Sequence, residues 1–162
     1  MKNSNRRIKG EGVRYFEEYR PFKATEADFR KRTDKQHAHM NVCADGMLTD
    51  GFICIKLPPK EDDKLVDRRF IPDENARSLE LIGVGWEGIV GIAHSVMVLF
   101  QNSNFKVIVD AFYVDLFKTA FGEVNFLGSG EFKAVQVWQN GEYLGVIMPL
   151  AGVYYFPEDL IN

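Results

Sequence analysis

The chain is short of the features that usually announce a function. Its two cysteines, Cys43 and Cys54, are too few for the disulfide framework of a small secreted scaffold. It has three histidines, and no Ser/His/Asp or Cys/His set stands at a spacing that marks a nucleophile and its base. The most apolar stretch, Gly88 to Phe100, is interrupted by His94 and Ser95 and falls well short of the roughly 20 residues that span a bilayer. Behind Met1-Lys2-Asn3-Ser4-Asn5-Arg6-Arg7 there is no apolar run of the kind a secretory leader needs. A net charge of −3 excludes a uniformly basic nucleic-acid binder. These shortages predict a cytoplasmic chain with two buried, reduced thiols. Catalytic residues, a metal and a cofactor are not expected.

What the sequence does have is material for a core. Apolar residues make up 46% and aromatic residues 13%, with 13 Phe, which excludes overall disorder. The 162 residues predict a single domain over 1–162, with a basic flexible N-terminus at 1–10 and an aromatic C-terminal tail at 152–162. Charge is uneven. Residues 1–40 hold 11 Lys/Arg against 6 Asp/Glu, a balance of +5, and residues 41–162 hold 9 against 17, a balance of −8. Arg30, Lys31, Arg32 and Lys35 are therefore the candidate DNA contacts, and a solvated helix face is the plainer account of them.

The clearest local signal is Asn140-Gly141, set between the β-prone runs Val135–Gln139 and Glu142–Met148. A two-residue Asn-Gly loop suits a type I′ hairpin, because both central residues need positive φ. Asp110 is placed to cap a helix over Ala111–Phe121 that Gly122 closes. That helix is apolar nearly all round, leaving only a stripe of Asp115, Lys118 and Thr119, so it must be covered on more than one side. Phe105–Val109 and Glu123–Leu127 read as flanking strands. The first third repeats the order more faintly. A strand within Glu11–Tyr19 precedes a capping box at Thr25-Glu26-Ala27-Asp28 and a helix to about Gln36. Strands at His39–Ala44 and Met47–Leu57 then turn at Asp45-Gly46. Short strands are also expected at Arg68–Ile71 and Ser78–Ile82, with a β-prone run at Gly91–Gln101. The sum is α+β: two βαβββ-type units, in the order an internal duplication would leave, with two helices packed on antiparallel sheet.

Two sharper motifs carry less. Gly83-Val84-Gly85-Trp86-Glu87-Gly88 is a literal G-x-G-x-x-G, but the β-branched run after it does not suit the helix a dinucleotide phosphate needs. A glycine-rich turn between strands is the expectation, with small-molecule or nucleotide binding there, helped by His94, as the alternative. His37, His39 and Cys43 hold metal-ligating atoms, with Cys54, Asp45 or Asp50 as candidate fourth partners, but at no recognised spacing. A polar corner between helix and strand is the ordinary reading. Glu61, Asp62, Asp63 and Asp67 read as a solvated charged loop with Lys60 and Lys64.

Val109-Asp110-Ala111-Phe112-Tyr113-Val114-Asp115-Leu116-Phe117-Lys118, Glu123-Val124-Asn125-Phe126, Ala134-Val135-Gln136-Val137 and Leu144-Gly145-Val146-Ile147-Met148-Pro149-Leu150 together resemble the last domain of bacterial DNA sliding clamps. Met47-Leu48-Thr49-Asp50-Gly51-Phe52 is similar to the clamps' T-D-G-x turn. The resemblance covers Phe105 to Leu150 and implies a DNA-clamp-like domain of two βαβββ units. It also implies that Val146, Met148, Pro149 and Leu150 help form an apolar pocket for short peptides of partner proteins. This chain has Ala151 where the family has Arg, and it continues through an aromatic segment expected to fold back over that pocket. Closing a clamp-sized ring from one domain per chain would take about six copies related by rotation. The resemblance thus implies a non-enzymatic interaction module, with a protein partner or self-association, DNA as a further possible partner, and no membrane or small-molecule cofactor.

Overall fold

A computed structural model describes residues 15–17, 19, 21–35, 40–87 and 95–150. The strongest local signals fold as their chemistry dictates. Asn140 and Gly141 take φ of 50° and 79° and join β11 (Val135–Gln139) to β12 (Glu142–Ile147). Helix α2 (Ala111–Phe121) starts where the Asp110 carboxylate accepts the Phe112 N–H at 2.9 Å and ends at Gly122, φ 80°. At the head of α1 (Glu26–Lys35), the Asp28 carboxylate accepts from the Thr25 N–H at 2.9 Å. The Thr25 hydroxyl in turn accepts from the Asp28 N–H at 3.2 Å, a reciprocal capping box.

The remaining strands are β1 (Tyr15–Glu17), β2 (Asn41–Val42), β3 (Leu48–Thr49), β4 (Ile53–Ile55), β5 (Lys64–Leu65), β6 (Arg77–Ser78), β7 (Glu80–Glu87), β8 (Ser95–Gln101), β9 (Lys106–Asp110) and β10 (Asn125–Gly128). They form two sheets, a four-stranded one in the order β1-β7-β8-β9 and an eight-stranded one in the order β5-β2-β3-β4-β12-β11-β10-β6. The larger sheet repeats a theme. Each half of the chain gives a strand and a helix, then a three-stranded meander (β2-β3-β4 and β10-β11-β12), and the last strands of the two meanders pair antiparallel at Ile53–Ile55 and Gly145–Ile147. The α+β class holds. The sheet is mixed rather than antiparallel throughout, because β2 and β5 run parallel.

One main core unites both sheets and both helices. Phe29 of α1, Phe117 of α2, Phe100 of β8, Ile53 and Ile55 of β4 and Ile147 of β12 are all fully buried in it. Burying each such side chain contributes about 1.5–3 kcal/mol. Residues Ala111, Tyr113, Val114, Asp115, Leu116 and Phe117 of α2 are buried, which places apolar contact all round its axis, as its composition requires.

Four local expectations need correction. Met47–Leu57 is not one strand but two, because Thr49-Asp50-Gly51 turns back with Gly51 at φ 97°. Gly83–Glu87 is not a turn: it lies inside β7, paired with β8 and, over Val84–Trp86, also with β1. Arg68–Ile71 forms no strand. Asp115 belongs to no exposed stripe, since it is 3% exposed and accepts a hydrogen bond from the Tyr19 hydroxyl. The Thr119 hydroxyl, one helical turn on, accepts the Ala24 N–H at 3.0 Å, so the segment before α1 closes over α2. Among the described residues no helix is long and apolar enough to cross a membrane.

Candidate functional site

Three places bear on function: the closing edge of β12, the basic helix α1, and a thiol cluster on the outer face of the large sheet. That outer face explains much of the rest. Strands β5 and β6 are consecutive in the chain but lie at opposite edges of the eight-stranded sheet. Residues 66–76 must therefore cross it, a span of roughly 34 Å at 4.8 Å per strand, within a reach of about 40 Å. They do so along the face turned away from the helices. The Ala44 N–H donates to the Arg68 carbonyl at 2.9 Å, and the Gln136 side-chain amide donates to the Asp73 carbonyl at 3.0 Å. Phe70 of this strap packs on a second apolar cluster of Cys43, Met47, Cys54 and Val146.

The strap decides the fate of the pocket residues. Val146 is 3% exposed beneath it and opposite Cys54 in the β12–β4 ladder. Met148, Pro149 and Leu150 are half-buried where the chain leaves β12. The Met148 N–H donates to the Phe52 carbonyl, and the Leu150 N–H to the Ile108 carbonyl of β9, both at 2.8 Å, so this run ties the large sheet to the small one. Phe52 beside it is 59% exposed. The structure thus leaves an apolar edge at Phe52 and Met148–Leu150 and puts Val146 behind it. Ala151 and the tail expected to cover this edge lie outside the described residues, as do residues 1–10, His37, His39, Gly88 and His94.

Helix α1 uses much of its positive charge internally. The Arg30 guanidinium holds Asp63 through two bonds of 2.7 and 2.9 Å and Glu26 at 3.0 Å. This pairing raises the Arg30 pKa and holds the Asp63 carboxyl below its ordinary range. Arg32 pairs with Asp110 and lies over the rings of Phe112 and Tyr113, 4.6 and 5.2 Å from their centroids. It therefore bridges α1 to the N-terminus of α2. Lys31 is exposed, and Lys35 is the last residue of the helix.

Composition gave no sign of a set of buried carboxylates. Asp50 accepts from the Phe52 and Ile53 N–H groups at 2.8 and 3.1 Å, and through its other oxygen from the Tyr113 hydroxyl at 2.5 Å. Asp115 takes the Tyr19 hydroxyl. Burial first, then the neighbouring carboxylate, raises the pKa of each tyrosine, and burial raises that of Asp115. These groups fasten the Asp50 turn and the pre-helix segment to α2. The Thr-Asp-Gly turn signal does locate Asp50, but its tyrosine partner lies 63 residues away.

The thiols lie 3.6 Å apart, both buried, and the Asp45 carboxylate stands within 4.8 Å of both sulfurs. Burial raises the pKa of Cys43 and of Cys54, so each is a protonated, unreactive thiol at neutral pH. Asp50, one of the carboxylates considered as a partner for Cys43, is committed to Tyr113. The grooves lined by described residues are open to solvent. One of about 530 Å³ is bounded by Arg30, Asp34, Met40, Lys60, Asp62 and Lys64. No protein-family model, curated protein or solved structure matches this chain.

Proposed function

We propose that the chain is a non-enzymatic interaction module resembling one domain of a bacterial DNA sliding clamp, acting through protein–protein contacts, self-association included. The observation that carries the reading is the doubled strand–helix–meander order, with the two meanders joined edge to edge through β4 and β12. The apolar edge at Phe52, Met148, Pro149 and Leu150 supplies the contact surface. Association with DNA-processing machinery then runs through a protein partner rather than through α1, because Arg30 and Arg32 are engaged by Asp63, Glu26 and Asp110. A nucleotide site at Gly83–Gly88 has less support, since the backbone amides of β7 sit in a sheet ladder rather than at a helix N-terminus.

Light scattering of the full chain over a range of concentrations tests the reading. The expected result is an assembly larger than one chain that Phe52→Asp or Met148→Asp breaks up. A parallel titration with labelled duplex DNA separates the alternative. Direct DNA binding predicts steep salt dependence, with a slope shallower by about 0.9 for each phosphate that the Lys31→Ala or Lys35→Ala chain no longer neutralises. A strictly monomeric chain that binds DNA in this way overturns the protein-contact reading in favour of the DNA one.

A further inference from the structure

The cluster under the strap does more than fill space. Cys43 follows β2, where its N–H donates to the Met47 carbonyl, and Cys54 lies in β4, with β3 between them. Their side chains therefore meet over the face of the sheet that β3 shares with them. A disulfide would hold the sulfurs at about 2.05 Å, whereas these are two free thiols. Both side chains turn to the same face and hold their sulfurs 3.6 Å apart. Two thiolates at about 2.3 Å from one tetrahedral zinc ion sit about 3.8 Å apart, close to the separation of these sulfurs.

We propose that Cys43, Cys54 and Asp45 form a binding site for a single thiophilic cation of the zinc(II) type, with two thiolates and one carboxylate as protein ligands. Asp45 sits in the Cys43–Met47 turn, where Gly46 takes φ 85° and its N–H donates to the Cys43 carbonyl at 2.9 Å. That turn returns an exposed carboxylate towards two buried sulfurs. Among the described residues this carboxylate accepts only a long 3.4 Å bond from the Met47 N–H, which leaves its other oxygen available. Two thiolates and a carboxylate carry −3 against the +2 of the ion. Arg68 of the strap lies close enough to favour the Cys43 thiolate electrostatically, and it offsets the remaining charge. Binding displaces the protons of both thiols, because a coordinated sulfur is deprotonated. The fourth position stays open to water or to a further side chain. A cation so held would tie the β2–β3 turn to β4 directly beneath the strap.

The test is titration of the full, reduced chain with cobalt(II), whose thiolate charge-transfer and tetrahedral d–d absorption report coordination, followed by displacement with zinc(II). One equivalent is expected to saturate the bands, with about two protons released per ion near neutral pH. Cys54→Ser and Cys43→Ser should lose the thiolate bands or cut them by half or more. Since a buried serine can perturb folding, the surface variant Asp45→Asn provides the second arm. It should keep the circular dichroism of the native chain and bind cobalt at least tenfold more weakly. Any of three results overturns the proposal: no tetrahedral spectrum at one equivalent, unchanged binding in both cysteine variants, or a chain that takes up no metal while peroxide joins the two thiols in an internal disulfide.

Discussion

At the scale of the residue, the most constrained position is Gly145. It takes φ 146°, and a Cβ placed there would meet the Cys54 carbonyl oxygen at 1.9 Å. This is the point where the two meanders join, so Gly145→Ala must either push β4 from β12 or leave the ladder. A loss of about 3 kcal/mol or more is expected, read as a lower denaturation midpoint. Asp63 gives a prediction of a different kind. Its carboxyl is held below the ordinary value of 3.8, first by the hydrogen bonds from Arg30. The stability it contributes is therefore present above that pH and lost as pH falls through the depressed folded value. Asp63→Asn should cost about 2 kcal/mol at neutral pH. It should also flatten the acid limb of a plot of stability against pH, and an unchanged acid limb would show the pair to be idle. The α1 basic residues teach a related lesson. Arg30-Lys31-Arg32 reads as a run of charge, yet which of these charges face solvent depends on carboxylates 33 and 78 residues away.

At the scale of the element, α2 shows how far local chemistry reaches. Asp110 before it and Gly122 after it set its ends, and both are legible because a cap satisfies backbone groups within a few residues. Asp110 does a second job that spacing cannot reveal, holding Arg32 of the other helix. Asp110→Ala therefore removes a cap and an interhelical tie together. An expected loss of about 1–2 kcal/mol exceeds that of a cap with no second partner, and Arg32→Ala in the same background should add little, a coupling that a double-mutant cycle measures. The Asn140-Gly141 hairpin was equally legible. The turn at Thr49–Gly51 was marked only by its likeness to the clamps' T-D-G-x turn, because Met47–Leu57 carries no alternation that separates one long strand from two short ones. That break matters: it makes β4 a strand of its own and sets Cys54 against Cys43.

At the scale of the whole molecule, the strap over residues 66–76 controls the outer face. Its chemistry is plain, with Pro72, three acidic residues and two arginines, and nothing in it announces a crossing of eight strands. The geometry leaves little slack, so deleting two residues, for example Ile71 and Pro72, should lift Phe70 off the cluster or unpair β5 or β6. Alkylation of Cys54 under native conditions, slow while the thiol is buried and protonated, should then accelerate about tenfold or more. Rates equal to those of the intact chain would mean that the strap does not guard the thiols. The same strap covers Val146, so under the proposed protein-contact reading substitutions at Phe52 and Met148–Leu150, rather than at Val146, are expected to shift binding of a partner.

The sequence alone determined the α+β class, the two helices with their caps, the tight hairpin, and the order of elements that suggests a duplicated unit. Each of these depends on interactions between residues a few positions apart, where capping bonds, turn dihedrals and periodicity act. Only the tertiary structure decided that β4 pairs with β12, that a strap seals the far face, that Arg30 and Arg32 are already engaged, and that two sulfurs separated by a strand come to 3.6 Å. Those outcomes depend on contacts between residues distant in the chain, and the packing of two sheets around two helices selects them.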